Sequence, residues 1–191
     1  MIYETVITTT DEAGEPHIAP FGVRERQGWI VIAPYRPSAS LDNMLRSRCA
    51  VLNATDDVRA FAGPLTGRRQ FPVRKAERIN GWVLDSALFH RELRLESVTE
   101  DSVRPALEFR IVHEVMHAPF PGFNRAQAAV LEAAVLVSRL QMLPLEKIAL
   151  EVGYLSIAIE KTAGPREREA WGWLMEAIDN HTAELRGENL A

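Results

Sequence analysis

Short runs of β-branched and apolar residues, broken by glycine and proline, open the chain. Glu4 to Thr10 (ETVITTT) is dense in β-branched residues and runs into Asp11-Glu12-Ala13-Gly14, a polar cluster with a glycine for a tight turn. That pattern predicts a strand entering a hairpin. His17 to Val23 reads as the return strand, and Trp29 to Ala33 (WIVIA), bounded by Gly28 and Pro34, is an apolar run too short for a helix. The period then changes. Between Ser40 and Ser47, Leu41, Met44 and Leu45 share one helical face, with Ser40 at the N-cap position. Strand character returns at Cys49 to Asn53 and near Val58 to Phe61. From Leu88 to Val98 and from Leu107 to Val115 apolar and polar residues largely alternate. Alternation with short connections predicts an antiparallel, half-exposed sheet, and a barrel is the usual way for such strands to avoid open edges.

After Pro119-Phe120-Pro121-Gly122 the pattern becomes helical. Asn124 can cap a helix with the stripe Val130, Ala133, Val137 and Leu140; Pro144 can open a second, carrying Leu145, Ile148, Val152, Leu155 and Ile159. A third starts at Pro165 after Gly164, puts Trp171, Leu174, Ile178 and Leu185 on one side and stops at Gly187. Apolar stripes on consecutive helices with short links predict a bundle. The expected division is therefore a barrel over residues 1–118 and a three-helix subdomain over 119–191, an α+β protein.

Composition narrows the function classes. At 191 residues, 47% apolar and 25% charged, the chain can bury a core without staples. Its net charge of −4 gives no electrostatic reason to expect nucleic acid as a partner. The single cysteine, Cys49, cannot form an intrachain bridge, and the start of the chain lacks a signal-peptide pattern, which fits a cytoplasmic protein. No run approaches the roughly 20 apolar residues of a membrane span. Asn53-Ala54-Thr55 and Asn180-His181-Thr182 spell glycosylation acceptors that matter only on a secretory route.

Among motifs, His113-Glu114-Val115-Met116-His117 spells the zinc-protease pattern, which requires a helix. Here Leu107, Phe109, Ile111, His113, Val115 and His117 alternate as one strand face, and Pro119 and Pro121 would stop a helix. Strand residues four apart lie roughly 13 Å apart and cannot share a zinc. No metal site is expected. No glycine pattern of a Rossmann or P-loop site occurs, and no Gly-x-Ser-x-Gly elbow. Cys49, in an apolar strand, reads as an inert buried thiol. Arg68, Arg69, Arg74, Lys75 and Arg78 form a basic cluster in a loop, either a solvated surface or an attractor of an anionic substrate. Trp171 and Trp173 point in different directions on a helix, which suggests packing. The most informative stretch is Tyr35 to Asn43. It joins a fixed cation, Arg36, and the hydroxyls of Ser38 and Ser40 to the exposed amides of a helix start, the features a phosphate dianion needs. A capped helix preceded by a surface arginine would carry the same residues.

Three blocks occur in order: Ala19-Pro20-Phe21-Gly22-Val23, Arg36-Pro37-Ser38-Ala39-Ser40-Leu41-Asp42-Asn43 and Ala50 to Val58. With Pro121 to Ala126 and Glu132 to Arg139, they make the chain resemble domain of unknown function family 447, a group of FMN-binding split-barrel proteins. The blocks also resemble, more loosely, the flavin reductase split barrel. There an Ala-Pro-Phe strand, a Lys-Asp-Thr-x-x-Asn helix start and a strand ending in Asn surround FMN.

The resemblance implies that Ser40 and Asn43 stand where a phosphate-binding threonine and its asparagine partner occur. Ser38 and Ala39 replace the lysine-aspartate pair, so Arg36 would supply the cation. Main-chain groups of Pro20, Phe21 and Gly22 would face the ring edge, and the amide of Asn53 would face its pyrimidine side. Asn53 could equally be a strand-end turn residue, and Asp56-Asp57 a plain turn. Asn124, Arg125 and Arg139 match family positions, where capping and ion pairing would also account for them. The implied function is FMN binding, as an FMN-dependent oxidoreductase acting on a small-molecule substrate or as a non-catalytic flavin-binding or storage module. A third reading is an interaction protein that has lost the cofactor. The resemblance further implies a homodimer sharing the flavin site; no catalytic acid or base is assigned.

Overall fold

The β-branched opening forms β1 (Tyr3–Thr10), and the turn after it returns the chain as antiparallel β2 (Pro16–Arg26). Gly14 sits in that turn at φ 85°, a left-handed conformation that disfavours a side chain, and the Glu15 amide donates to the Asp11 carboxylate at 2.8 Å. β3 (Trp29–Ile32), α1 (Ala39–Ser47) and β4 (Cys49–Thr55) follow. Next come a small two-stranded arm, β5 (Val73–Lys75) and β6 (Trp82–Leu84), and two long strands, β7 (Ala87–Thr99) and β8 (Ala106–Met116). The structure is a computed structural model and describes residues 1–187. It divides into two compact units, Met1–Asp56 with Arg69–Phe120, and Asp57–Arg68 with the chain from Pro121 onward.

The first unit is a closed six-stranded barrel in the order β1-β2-β3-β8-β7-β4, antiparallel throughout. Ile7, Val23, Ile30, Ile32, Leu52, Leu93, Leu95, Leu107 and Phe109 fill its interior. Each such buried side chain contributes about 1.5–3 kcal/mol of transfer free energy. Helix α1 closes one mouth: Leu41 and Met44 join the same cluster, and Asn43 reaches Thr9 near the end of β1. The N-cap is Ser38, whose hydroxyl accepts from the Leu41 amide at 3.4 Å. The expectation of Ser40 as cap is corrected, since the helix starts one residue before it and Ser40 is buried.

The alternation expected through β8 breaks at its middle. Leu93 pairs with Ile111 but Glu92 pairs with His113, so Val112 is an extra residue on one strand. Because directly opposed residues share a face, the bulge moves His113 and Val115 to the outer face with Glu92 and His90. They therefore lie opposite to Phe109 and Ile111, not in line with them. The arm covers part of this outer face. Thr8 donates its hydroxyl to the Trp82 carbonyl, Thr10 to the Asn80 carbonyl at 3.3 Å, and the Leu84 amide donates to Asn53 Oδ1 at 2.9 Å. The fully buried Glu92 carboxylate accepts from the amides of Glu77, Arg78 and Ile79 at 2.7, 2.7 and 3.0 Å.

The second unit packs α2 (Arg59–Leu65), α3 (Arg125–Val137), α4 (Leu145–Thr162) and α5 (Pro165–Arg186) around Ala126, Ala129, Val130, Ala133, Ile159, Ala170 and Leu174. The strand expected near Val58 to Phe61 is instead the start of α2, in which Ala60, Phe61, Ala62 and Gly63 are all buried. A four-residue apolar run has no period of its own, and packing decides it. Asn124 caps α3, accepting from Ala126 at 2.8 Å, and Gly187 ends α5 at φ 70°. Pro144 is the cap of α4 and not its first residue, and Leu185 is 61% exposed, outside the buried stripe. Among the described residues no helix is long and apolar enough to cross a membrane.

Candidate functional site

The expected binding residues fall in three places on the barrel unit. At the start of α1, Arg36 is half exposed; its guanidinium pairs with Glu100 at 3.0 Å and bonds the Asp101 carbonyl at 3.3 Å. Its backbone amide donates to the Val103 carbonyl at 2.8 Å, which fixes the loop before the helix. Ser38 spends its hydroxyl on the Leu41 amide, and the Asp42 amide enters the helical ladder to Ser38. The amides of Ala39 and Ser40 have no protein acceptor among the described residues. Two free donors at a helix start suit an anion. Asn43 faces the other way: its amide nitrogen donates to Thr9 Oγ1 at 3.1 Å and its oxygen accepts from Arg46 at 3.0 Å. The structure thus brings Arg36, Ser38 and Ser40 together and ties Asn43 into the barrel's plugged end.

Pro20, Phe21 and Gly22 lie mid-way along β2, opposite Val6, Thr5 and Glu4. β3 pairs only with Arg24 to Arg26, so among the described residues no strand covers the other edge of β2 from Pro16 to Val23. A Cβ at Gly22 would meet Ile2 Cγ2 at 2.9 Å and Glu4 Oε1 at 3.3 Å, both on exposed side chains that can move aside.

Asn53 is the third place. Pro20 and Asn53 both pair with Val6, which puts them on one outer face about 10 Å apart with one strand between. Asn53 is fully buried. Its nitrogen donates to the Val6 carbonyl at 3.1 Å and to Thr8 at 3.3 Å, while its oxygen holds Leu84. Both ends of the amide are engaged by protein, so its present task is to fasten the arm.

Sequence reasoning missed the open mouth of the barrel, away from α1. A cavity of about 330 Å³ there is lined by Thr5, Val23, Ile30, Leu52, Ala54 and Phe89, with Tyr3, Glu4, Glu25 and Arg91 around them. Arg91 bonds Glu25 at 2.9 Å and also Glu114. Burial works against its charge, but the two carboxylates outweigh that and hold the guanidinium firmly protonated. Arg91 is in phase with Phe89, Leu93 and Leu95 along β7 and faces the interior by plain alternation, whereas Glu114 opposite it is turned to that face by the bulge at Val112, which no residue type announces.

The basic cluster is mostly spent. Arg68 pairs with Glu176 at 2.7 Å, Arg74 with Asp85 at 3.1 Å, and Lys75 sits over the Trp82 ring at 3.3 Å. The stretch holding Arg74 and Lys75 is the arm and not a loop. Among the described residues no three His, Cys, Asp or Glu side chains gather to hold a metal ion. Cys49 is half-buried, and burial pushes its thiol up, against thiolate chemistry.

A six-stranded antiparallel closed barrel with appended helices is the architecture of the FMN-binding split-barrel proteins. The particular family follows from sequence: the description "Protein of unknown function (DUF447) N-terminal domain" matches residues 3–118, and "Protein of unknown function (DUF447)" matches 124–176. The chain belongs to this family. No curated protein matches it by sequence. Among solved structures, an FMN-bound protein of the same family from Methanosarcina mazei is similar at TM-score 0.78 and 21% identity, covering 92% of this chain and 94% of that one. The flavin reductase component of a bacterial two-component tryptophan halogenase is similar at TM-score 0.53 and 15% identity, over 61% of this chain and 80% of that one. A nitrilotriacetate monooxygenase component B from Mycobacterium thermoresistibile is similar at TM-score 0.51 and 16% identity, over 62% and 71%.

Proposed function

We propose that this chain binds FMN on its barrel unit and works as a flavin-dependent oxidoreductase on a small-molecule substrate. The observation that carries this reading is a relative of the same family, alike over 92% of this chain, whose structure holds FMN. The anion-ready start of α1 supports it independently. The amides of Ala39 and Ser40 and the Arg36 guanidinium would hold the phosphate, with Ser38 fixing the loop. Ser40, whose side chain is buried, would contribute through its amide more than its hydroxyl. The unpaired edge of β2 at Pro20 to Gly22 would face the ring, and Asn53 would stand behind it on the same face. Glu100 works against the phosphate by sharing Arg36, so Arg36 must turn partly from it on binding.

Bound FMN supplies the electron-accepting ring, and the protein supplies orientation and electrostatics. Ile2, Tyr3, Trp29 and Met116 are 53%, 52%, 38% and 75% exposed at strand ends around the open mouth, an apolar rim that supports a homodimer.

The test is direct. Purified chain should retain FMN through gel filtration, and Arg36→Ala should weaken FMN binding roughly tenfold, the loss of one charge-assisted contact. Anaerobic bleaching by NADH or NADPH separates an oxidoreductase from a flavin-storage module. Unchanged FMN affinity in Arg36→Ala rejects the phosphate assignment.

A further inference from the structure

On the outer face of the barrel, under the arm, lies a cluster of titratable groups that the proposed function does not use. His90 and Glu92 stand on β7, His113 on β8 and His117 just after it; Arg74 on β5 and Glu77 beyond it face them from the arm. His90 is 2% exposed and Glu92 0%, while His117 and its contact with Arg74 lie at the exposed edge of the cluster. The His90 and His117 rings stack at 5.0 Å between centroids, and His113 meets His90 edge-on at 6.1 Å.

The protons can be placed by donor and acceptor logic. An arginine guanidinium only donates. Arg74 lies 2.8 Å from His117 Nε2, so that nitrogen is bare and His117 carries its proton on Nδ1. His90 Nδ1, also 2.8 Å from His117 Nε2, must then be the protonated nitrogen, sharing with Arg74 the single lone pair of that acceptor. His90 Nε2 is left bare, buried and without a partner, 3.6 Å from the acceptor Glu92 Oε1. His113 Nε2 is likewise buried without a hydrogen-bond partner, 3.3 Å from a Glu77 oxygen.

Every contact that joins β5 to this pair therefore requires the His117 Nε2 lone pair. One proton there removes the acceptor for both Arg74 and His90 and sets two cations side by side. We propose that His117, backed by His90, is a proton-operated latch: neutral, it holds the arm on the barrel through Arg74, and protonated, it releases β5 and loosens the arm from Asn53 and Thr8.

The electrostatics agree in sign. Burial first, then the Arg74 charge, hold His117 below the ordinary histidine value of 6.5, with Glu77 acting weakly the other way. Burial also holds His90 below 6.5, opposed by Glu92 and reinforced by His117 and Arg74. A base whose value is depressed in the closed form takes up its proton more readily when open. Closure is thus fully favoured above 6.5 and weakens as pH falls below it, until the depressed values of the closed form are passed. One proton changes the opening equilibrium by at most about tenfold per pH unit in that window.

Release would free the Leu84 amide from Asn53 Oδ1, the residue expected beside the flavin. The latch would then tie the cofactor face to pH.

Hydrogen exchange of the full chain from pH 8 to 5.5, corrected for intrinsic rates, tests this. The amides of Glu77, Arg78, Ile79 and Leu84 should lose protection by about tenfold per pH unit below 6.5, while Val51 and Leu93 in the barrel keep theirs. His117→Gln, which can still accept from Arg74 but does not titrate, should keep the protection seen at pH 8 and lose the pH dependence. Arm protection independent of pH, a parallel loss in the barrel, or an unaltered dependence in His117→Gln would each overturn the proposal.

Discussion

Asn53 separates two roles that one residue type can fill. Its amide is fully buried and bonded at both ends, to Val6 and Thr8 on one side and Leu84 on the other. Asn53→Ala should therefore cost about 2–4 kcal/mol, because the buried partners are left unsatisfied, and a urea melt would read it. An Asn53→Ala protein that melts like wild type but has lost FMN would show the amide to be a cofactor ligand only. Ser38 makes a similar distinction. Its hydroxyl caps α1, so Ser38→Ala should lower stability by about 1 kcal/mol in addition to any effect on FMN. The residue types at both positions were readable from the sequence, but their partners were not. Val6, Thr8 and Leu84 come from strands 47, 45 and 31 residues away, and no local pattern carries such pairings.

At the scale of elements, strong local periods were legible. The β-branched run of β1, the long strands β7 and β8, the capped start of α3 and the opening of α5 at Pro165 lie where pattern puts them. Short or interrupted patterns were not. Val58 to Phe61 has too few residues for a period, and its burial among helices makes it the start of α2. The arm hid inside a basic stretch because its cations meet their partners, Asp85 and the Trp82 ring, only once its two strands pair. The bulge at Val112 reversed the face of His113 without any glycine to mark it.

Asp57 ahead of α2 gives a prediction at this scale. Burial would raise its carboxyl, but the Arg59 guanidinium at 2.7 Å dominates and holds it below its ordinary 3.8. Its contribution is present above 3.8 and lost as pH falls through the depressed value. Asp57→Asn should thus destabilise the helical unit by about 2 kcal/mol at neutral pH, with the difference shrinking toward zero in acid. Helix melting followed by circular dichroism at several pH values would show it. A difference that does not change with pH would mean that the pair contributes nothing.

For the whole molecule, the sequence resemblance and the fold agree: both family regions match, and the barrel closes with α1 at one mouth and an apolar cavity at the other. The site is legible only in part. Arg36, Ser38 and Ser40 gather at one helix start and Pro20 to Gly22 at one strand edge, because each group is local in sequence. The cavity lined by Thr5, Leu52 and Phe89 is not legible, because it exists only once five strands are registered. Light scattering should give a mass of twice the 21.4 kDa chain if the apolar rim pairs two copies, and a monomer would leave that rim unexplained.

The measurement that bears most directly on the account is an FMN titration of the purified chain beside Arg36→Ala, followed by flavin fluorescence. Saturable binding of one FMN per chain is expected, weakened roughly tenfold by the substitution. A chain that leaves FMN fluorescence unchanged at millimolar flavin would contradict it.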